Sequence, residues 1–383
     1  MRIAVAREVD PAEVRVAATP ETVKKMKGLG ADVAVEPGAG TKSGIPDAEF
    51  TAAGATVTNG ALKDADVVLK VRRPAASELN GYKRGALVIA IMDPYGEDAA
   101  LKAMADAGIT AFAMELLPRI TRAQVMDVLS SQANLAGYRA VIDASAEYGR
   151  ALPMMMTAAG TGPAARIFIM GAGVAGLQAV ATARRLGAVV TATDVRPAVK
   201  EQVESLGAKF VAVEDEEFKQ AETAAGYAKE MSEAYKAKQA ELIASHIAKQ
   251  DIVVTTALIP GRPAPKLVSA AMVASMRPGS VIVDLAVERG GNVEGVKPDE
   301  TVMTPNGVKI VGHANMPGRL AASSSSLYAK NLYAFVETLI DKASKTLDVK
   351  WDDELVKATL LTREGAVVQP NFAPKPAEAT PAA

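Results

Sequence analysis

Cysteine is absent from the chain. That removes disulfides, thiolate metal ligands and thiol nucleophiles together, and it suits a reducing compartment. Histidine is almost absent: His246 and His313 are the only two in 383 residues, so imidazole general-base chemistry has few candidates. No spacing of ligand-type side chains suggests a metal site. Neither sign of charge dominates, since 43 Lys and Arg stand against 44 Asp and Glu. A nucleic-acid binder needs a basic face, so no nucleic acid is expected as a partner. No stretch of about 18 apolar residues lacks charges, so no direct membrane span is expected. Nor does a signal pattern open the chain, because Met1-Arg2 leads straight into an alternating, strand-like segment.

What is present is alternation. Half the residues are apolar (49 %), enough for a sizeable core, and the length suggests two domains. Residues 2–6 read as a strand. Residues 20–29 read as a helix, with Thr19 as its cap and Pro20 at its first position. Residues 31–36, 66–71, 86–91 and 110–115 read as further strands, each after a helical or loop segment. Residues 133–150 form a long helical pattern that connects two domains. A second βαβ series runs from ARIFIM (165–170) through AVVTATD, KFVAV, DIVVTTA and SVIVDLA to VKIVG (308–312), and residues 325–344 return to helical periodicity. Such alternation predicts α/β architecture with parallel, doubly wound sheets. The expected division is a first α/β domain built from residues 1–130 plus 319–370, a domain of residues 131–318 inserted into it, and a flexible Pro/Ala-rich tail at 371–383.

The most specific motif is RIFIM-GAGVAG-LQAVATARRLGA-VVTATD, residues 166–194. A lone GxGxxG is weak. Here it follows an apolar strand and opens an amphipathic helix, and the next strand ends in an acid 18 residues after the last glycine. Gly171 permits the tight turn, Gly173 lets backbone approach a pyrophosphate, and Gly176 lets helix and strand pack closely. Ala172 and Val174 complete the phosphate-facing loop, whose helix N-terminus supplies free N–H groups. Asp194, with Val195 beside it, suits the hydroxyls of an adenosine ribose and repels a 2′-phosphate, which favours NAD(H) over NADP(H). Arg196 pulls the other way, since an arginine there accepts a 2′-phosphate. The segment therefore predicts a Rossmann-type dinucleotide site in 131–318, so that the chain has two Rossmann-like domains, the nucleotide domain inserted in the other.

A second constellation lies in PRITRAQVMDVLSSQANLAGYRAV, residues 118–141. Arg119, Arg122, Gln124, Asp127, Ser130 and Ser131 recur at helical or near-helical spacing. One reading is a polar face beside a hinge. The other is that Arg119 and Ser130 hold a nicotinamide carboxamide, with Gln124 and Asp127 in the same network. Composition does not decide between them.

At these residues the chain resembles domain I, the NAD(H)-binding alpha-1 subunit, of proton-translocating NAD(P) transhydrogenases, a family related to alanine dehydrogenase. The likeness runs from residue 1 to about 335 and includes REVDPAEVRVAATPETVKKM, MELLPRITRAQVMDVLSSQANLAGYRAVIDA, PMMMTAAGT, AETAAGYAKEM, TTALIPGRPAP, RPGSVIVDLAVERGGN and KIVGHANMPGR. It implies that Arg119, Gln124, Asp127 and Ser130 are active-site residues that position the nicotinamide, with Gln124 also reaching NADP(H) on a partner domain. It implies that AETAAGYAKEM is a mobile loop bearing Gly226, Tyr227 and Met231. Where that family often has Gly-Gly, this chain has Ala225-Gly226. Thr256, Ala257 and Leu258 are expected beside the nicotinamide ribose. The resemblance further implies a homodimer, an NADP(H)-binding subunit, membrane-embedded subunits that couple hydride exchange to proton movement, and a cytoplasmic location at the inner membrane.

Alanine dehydrogenase is the rival reading. Arg15 and Lys70 match its substrate-carboxylate ligands, yet the histidine it needs is missing. Ala90, Ile91 and Met92 stand where it is sought, and Glu288 where its catalytic aspartate is sought. Amino-acid oxidation needs a base for the proton that leaves with the hydride. Exchange between two nicotinamides needs alignment and exclusion of water instead. On that ground Arg15 and Lys70 are expected to be structural cations paired with local acids. His246 is expected to be solvated, His313 to lie at the C-terminal edge of the sheet, Met154–Met156 to be core packing, EDEEF (214–218) a solvated loop, and Ser323–Ser326 the cap and opening of the last long helix.

Overall fold

The computed structural model describes residues 1–220 and 231–374. In the first segment the apolar runs become strands β1 (Arg2–Val5), β2 (Asp32–Val35), β3 (Thr56–Val57), β4 (Val67–Arg72), β5 (Leu87–Ile91) and β6 (Thr110–Ala113). Helices α1 (Pro20–Gly28), α2 (Asp47–Ala52) and α3 (Asp98–Asp106) cross between them. α1 starts where its sequence dictates: Thr19 Oγ1 accepts from Thr22 N, Thr22 Oγ1 accepts from Thr19 N, and Pro20 needs no partner for a missing N–H. A 3-10 turn at Thr121–Met126 then leads into α4 (Val128–Glu147).

The chain next forms an exposed hairpin, β7 (Met155–Thr157) with β8 (Gly160–Gly162), and the strands β9 (Arg166–Met170), β10 (Val189–Thr193), β11 (Lys209–Phe210), β12 (Ile252–Thr255), β13 (Val281–Asp284), β14 (Thr301–Met303) and β15 (Lys309–Val311). Helices α5 (Val174–Arg185), α6 (Val199–Ser205), α7 (Glu216–Lys219), α8 (Glu233–Ile247) and α9 (Ala270–Ser275) alternate with them. Last come α10 (Ala321–Thr338), the small hairpin β16 (Ile340–Asp341) and β17 (Thr346–Leu347), α11 (Glu354–Thr359), and β18 (Leu360–Arg363) with β19 (Ala366–Val367).

Two compact units result: residues 1–132 with 318–383, and residues 133–317. The first holds a sheet in the order β19-β18-β6-β5-β4-β1-β2-β3, parallel except where β18 and β19 close one edge. The second holds β11-β10-β9-β12-β13-β15-β14, parallel except β14. In each, the order reverses at the first strand, β1 or β9, which makes both doubly wound Rossmann-like sheets with a crevice beside that strand. The period-2 side-chain alternation shows why both faces need cover. Ile167 and Ile169 lie in one core cluster and Phe168 and Met170 in another, just as Ile3 and Val5 separate from Ala4.

Several expectations are corrected. Met154, Met155 and Met156 are not core: they are 59, 49 and 74 % exposed around the β7–β8 hairpin. Ser323–Ser326 do not cap α10. Ser324 and Ser325 are fully buried within it, where Ser324 Oγ donates to Gln132 Oε1 and Ser325 Oγ accepts from Val16 N. EDEEF is not all loop, because Asp215 caps α7 and Phe218 is buried against Phe210 and Tyr235. His246 is half-buried, edge-on to Phe168 and hydrogen-bonded to Thr191, and burial pushes its imidazole below the ordinary range. Residues 371–374, placed in the flexible tail, are held instead: the Phe372 ring meets Tyr95 at 5.0 Å and its N–H donates to Gln369.

Inside the first unit, Arg15 and Lys70 are paired. Lys70 lies 2.8 Å from Glu78 and 3.5 Å from Glu8. Arg15 grips both oxygens of Glu13 at 2.7 Å and donates to Gln132, while Arg72 adds a third cationic contact to Glu13. Burial by itself raises the Glu13 pKa. The hydrogen bond and charge of Arg15, helped by Arg72, outweigh it and hold the carboxyl at about 2, against an ordinary 4.5. A depressed folded value means this stabilisation is fully present above about pH 4.5 and is lost as the pH falls toward 2. Glu13→Gln leaves Arg15 a buried charge without its carboxylate, so stability at neutral pH is expected to drop by about 3–5 kcal/mol. Urea melts across pH 2–7 check both points: the variant's acid slope should be flatter than the parent's, and equal slopes would remove Glu13 from the account.

Candidate functional site

The glycine turn is built by strand β9 running into helix α5. Gly171 takes φ +105°, a region closed to most side chains, and a Cβ on it would meet Thr256 Oγ1 at 2.4 Å. At Gly176 a Cβ would sit 1.7 Å from the Gly171 carbonyl oxygen, so the helix can approach β9 only through glycine. Gly173, the N-cap residue of α5, differs from both: nothing lies within 4 Å of its missing Cβ. A tight turn held by Gly171 and Gly176 therefore presents an open face at Gly173, in front of a 12-residue helix with no acidic residue in its first turn. The N–H groups of that first turn and the helix dipole make this an anion cradle with room for a diphosphate.

Asp194 follows the end of β10 and is tied to the cradle. Its Oδ2 accepts from Ala172 N at 2.8 Å, and its Oδ1 accepts from Arg196 N at 2.9 Å. Thr256, just past β12, donates from Oγ1 to the Gly171 carbonyl at 3.1 Å. Ala257 next to it is clamped by Asn292, which accepts from its N–H (3.0 Å) and donates to its carbonyl (2.9 Å) and to that of Pro265 (2.8 Å). Val174, Val195 and Leu258 are exposed at 41, 60 and 53 %, so three apolar side chains stand uncovered where β9, β10 and β12 end. That arrangement can bind a ligand with a diphosphate, a diol and flat apolar groups. Met231 is half-buried and packs on the unit's core, whereas Gly226 and Tyr227 lie outside the described residues.

Two contributors were not singled out by sequence reasoning. Asn292 lies in the GGN of DLAVERGGN, and only its distant backbone partners show what it does. Gly137, in α4, abuts the start of α5 so closely that a Cβ would fall 2.0 Å from the Ala175 carbonyl. Its signal was a glycine in the middle of a long helical pattern.

In the other unit, the polar group at 119–131 divides into two kinds of residue. Arg122 is fixed by Asp353 at 2.7 and 2.8 Å and by Glu354, and Ser131 donates to Asn331 at 2.7 Å. These two anchor the segment to α10 and α11. Arg119 and Gln124 are exposed. Asp127 accepts from both Ser130 N (2.9 Å) and Ser130 Oγ (2.5 Å), which fixes the Ser130 rotamer. Where an imidazole was sought for the rival chemistry, Met92 is buried and its N–H, like that of Asp93, is held by the Glu115 carboxylate. Burial pushes the Glu115 carboxyl above its ordinary range. Both histidines fall in the other unit. Glu288 is exposed, while Asp284 at the end of β13 is buried and accepts from Ala286 N and Val293 N. Among the described residues no helix is long and apolar enough to cross a membrane, and no His/Asp/Glu group is arranged to hold a metal ion.

Comparison with known proteins places this geometry. Residues 4–136 match the N-terminal domain, and residues 140–370 the C-terminal domain, of alanine dehydrogenase/PNT. An NAD(P) transhydrogenase alpha subunit of Rhodospirillum rubrum is 55 % identical over 97 % of this chain and 98 % of its own length. A crystal structure of transhydrogenase from Sinorhizobium meliloti, 64 % identical, superposes with a TM-score of 0.88 over 96 % of this chain and 100 % of that one. The alanine dehydrogenase of Halomonas elongata is more distant, 32 % identical over 95 % of this chain and 94 % of its own length.

Proposed function

We infer the function from one premise: the chain belongs to the family of NAD(P) transhydrogenase alpha subunits, within the wider alanine dehydrogenase/PNT group. It serves as the NAD(H)-binding component, exchanging hydride with NADP(H) held on a partner subunit. The observation that carries this reading is the junction of acid and cradle, in which Asp194 receives the Ala172 N–H beside the open face of Gly173. Bound NADH supplies the hydride from its dihydronicotinamide. The chain's own residues bind and orient. The first-turn N–H groups of α5 take the diphosphate, and Asp194 accepts the adenosine ribose hydroxyls. Thr256, Ala257 and Leu258 line the second ribose, their backbone held by Asn292. Arg119 and Ser130 hold the carboxamide, Asp127 sets the Ser130 rotamer, and Gln124 serves the partner's NADP(H). Tyr227 and Met231 belong to the loop that closes on the nucleotide. No residue has to take a proton at the reacting carbon, so the missing imidazole is no handicap.

Two copies of the chain and membrane-embedded subunits complete the enzyme, which couples the exchange to proton movement at the cytoplasmic side of the inner membrane. The test is reconstitution with an NADP(H)-loaded partner subunit. Hydride transfer is expected only in the mixture, and pyruvate with ammonia and NADH should yield no alanine from the chain alone. Reductive amination by the isolated chain would sink the proposal in favour of the dehydrogenase reading.

A further inference from the structure

Asp194 has no unoccupied oxygen. Besides the two backbone N–H groups of Ala172 and Arg196, it receives a bidentate guanidinium: Arg196 Nε at 2.9 Å on Oδ1 and Nη2 at 3.0 Å on Oδ2. A carboxylate offers about four acceptor sites, and four donors fill them. The Asp194 side chain is 7 % exposed and that of Arg196 30 %. Two of the four partners are backbone and stay. The guanidinium, at the solvent side, is the one that can swing away.

We propose that Arg196 is a latch on Asp194 that sets nucleotide selectivity. This rests on the nucleotide reading above. The ribose diol of NAD(H) gains the carboxylate only by displacing the guanidinium, so Arg196 opposes NAD(H) binding. The 2′-phosphate of NADP(H) meets an acid whose charge is already matched by a cation, and that cation pairs well with phosphate. The same side chain therefore weakens the preferred ligand and favours the excluded one, and its removal moves the two affinities in opposite directions.

Arg196→Met keeps an aliphatic stem of similar reach and removes donors and charge. Titration of the full chain with NADH and with NADPH is expected to show NADH binding about three- to tenfold tighter and NADPH binding weaker by a similar factor. Arg196→Lys retains the cation without the fork. It should hold NADPH affinity within about threefold of the parent while NADH tightens modestly. It also carries the test if the methionine variant does not fold. A ratio of the two dissociation constants within about twofold of the parent in both variants overturns the latch, as does weaker NADH binding in Arg196→Met, which would make the guanidinium a ligand contact instead. A parent that binds neither nucleotide overturns the nucleotide reading itself, an outcome distinct from both.

Discussion

In the reconstituted complex, Arg119→Ala is expected to slow single-turnover hydride transfer from NADH to NADP+ about 100-fold while NADH affinity falls only modestly. The adenosine and diphosphate contacts assigned to the second unit do not involve Arg119, so most of the binding energy survives. What is lost is the hold on the nicotinamide ring, and a ring displaced by about 1 Å loses roughly two orders of magnitude in rate. The side chain is exposed and lies outside the anchoring role that Arg122 fills through Asp353, so the fold itself should be unaffected. Gln124→Asn separates the effects further, because its contact is assigned to the partner's nucleotide: NADH affinity should match the parent while transfer slows. Stopped-flow transfer and equilibrium NADH titration on both variants decide the matter. Parent-like transfer in both would make residues 119–130 a structural hinge.

The glycines of the turn should separate fold from binding. Gly176→Ala puts a methyl group 1.7 Å from a backbone oxygen of Gly171, where no side chain can yield, so α5 must shift from β9. Overpacking of this kind costs about 1–3 kcal/mol, and the cradle is lost with it. Gly173→Ala meets nothing within 4 Å and has an ordinary φ of −77°, so its melting temperature should equal the parent's. Its NADH dissociation constant should nevertheless rise about tenfold or more, because the added methyl occupies the face assigned to the diphosphate. Thermal melts paired with NADH fluorescence titrations measure both. Unchanged NADH binding in Gly173→Ala would place the diphosphate elsewhere.

Much of the architecture was legible because its causes are local. Strands buried on both faces must read as short apolar runs, so ARIFIM and SVIVDLA announce themselves. Thr19 and Pro20 mark a helix start through groups at most three residues apart. In GAGVAG, one glycine is required by a positive φ and another by a backbone oxygen five residues earlier. Those constraints act within a single strand–turn–helix and leave their mark in the spacing alone.

Other assignments depend on partners far away in the chain, and composition carries no trace of them. Ser324 and Ser325 look like helix-start residues. They are core residues because Gln132, Ser43 and Val16 converge on them from distant segments. Arg122 and Ser131 are indistinguishable in sequence from Arg119 and Ser130. Asp353 and Asn331 occupy the first pair, and nothing in the spacing says so. Three consecutive methionines fit a core and stand exposed instead, because the segment forms a hairpin outside both sheets. Asp194 could be read from sequence as a ribose acid from its place at the end of a strand. That the same carboxylate is filled by Arg196 and by the Ala172 N–H depends on side-chain direction and on the register of β9 against β10, both decided only when the sheet assembles.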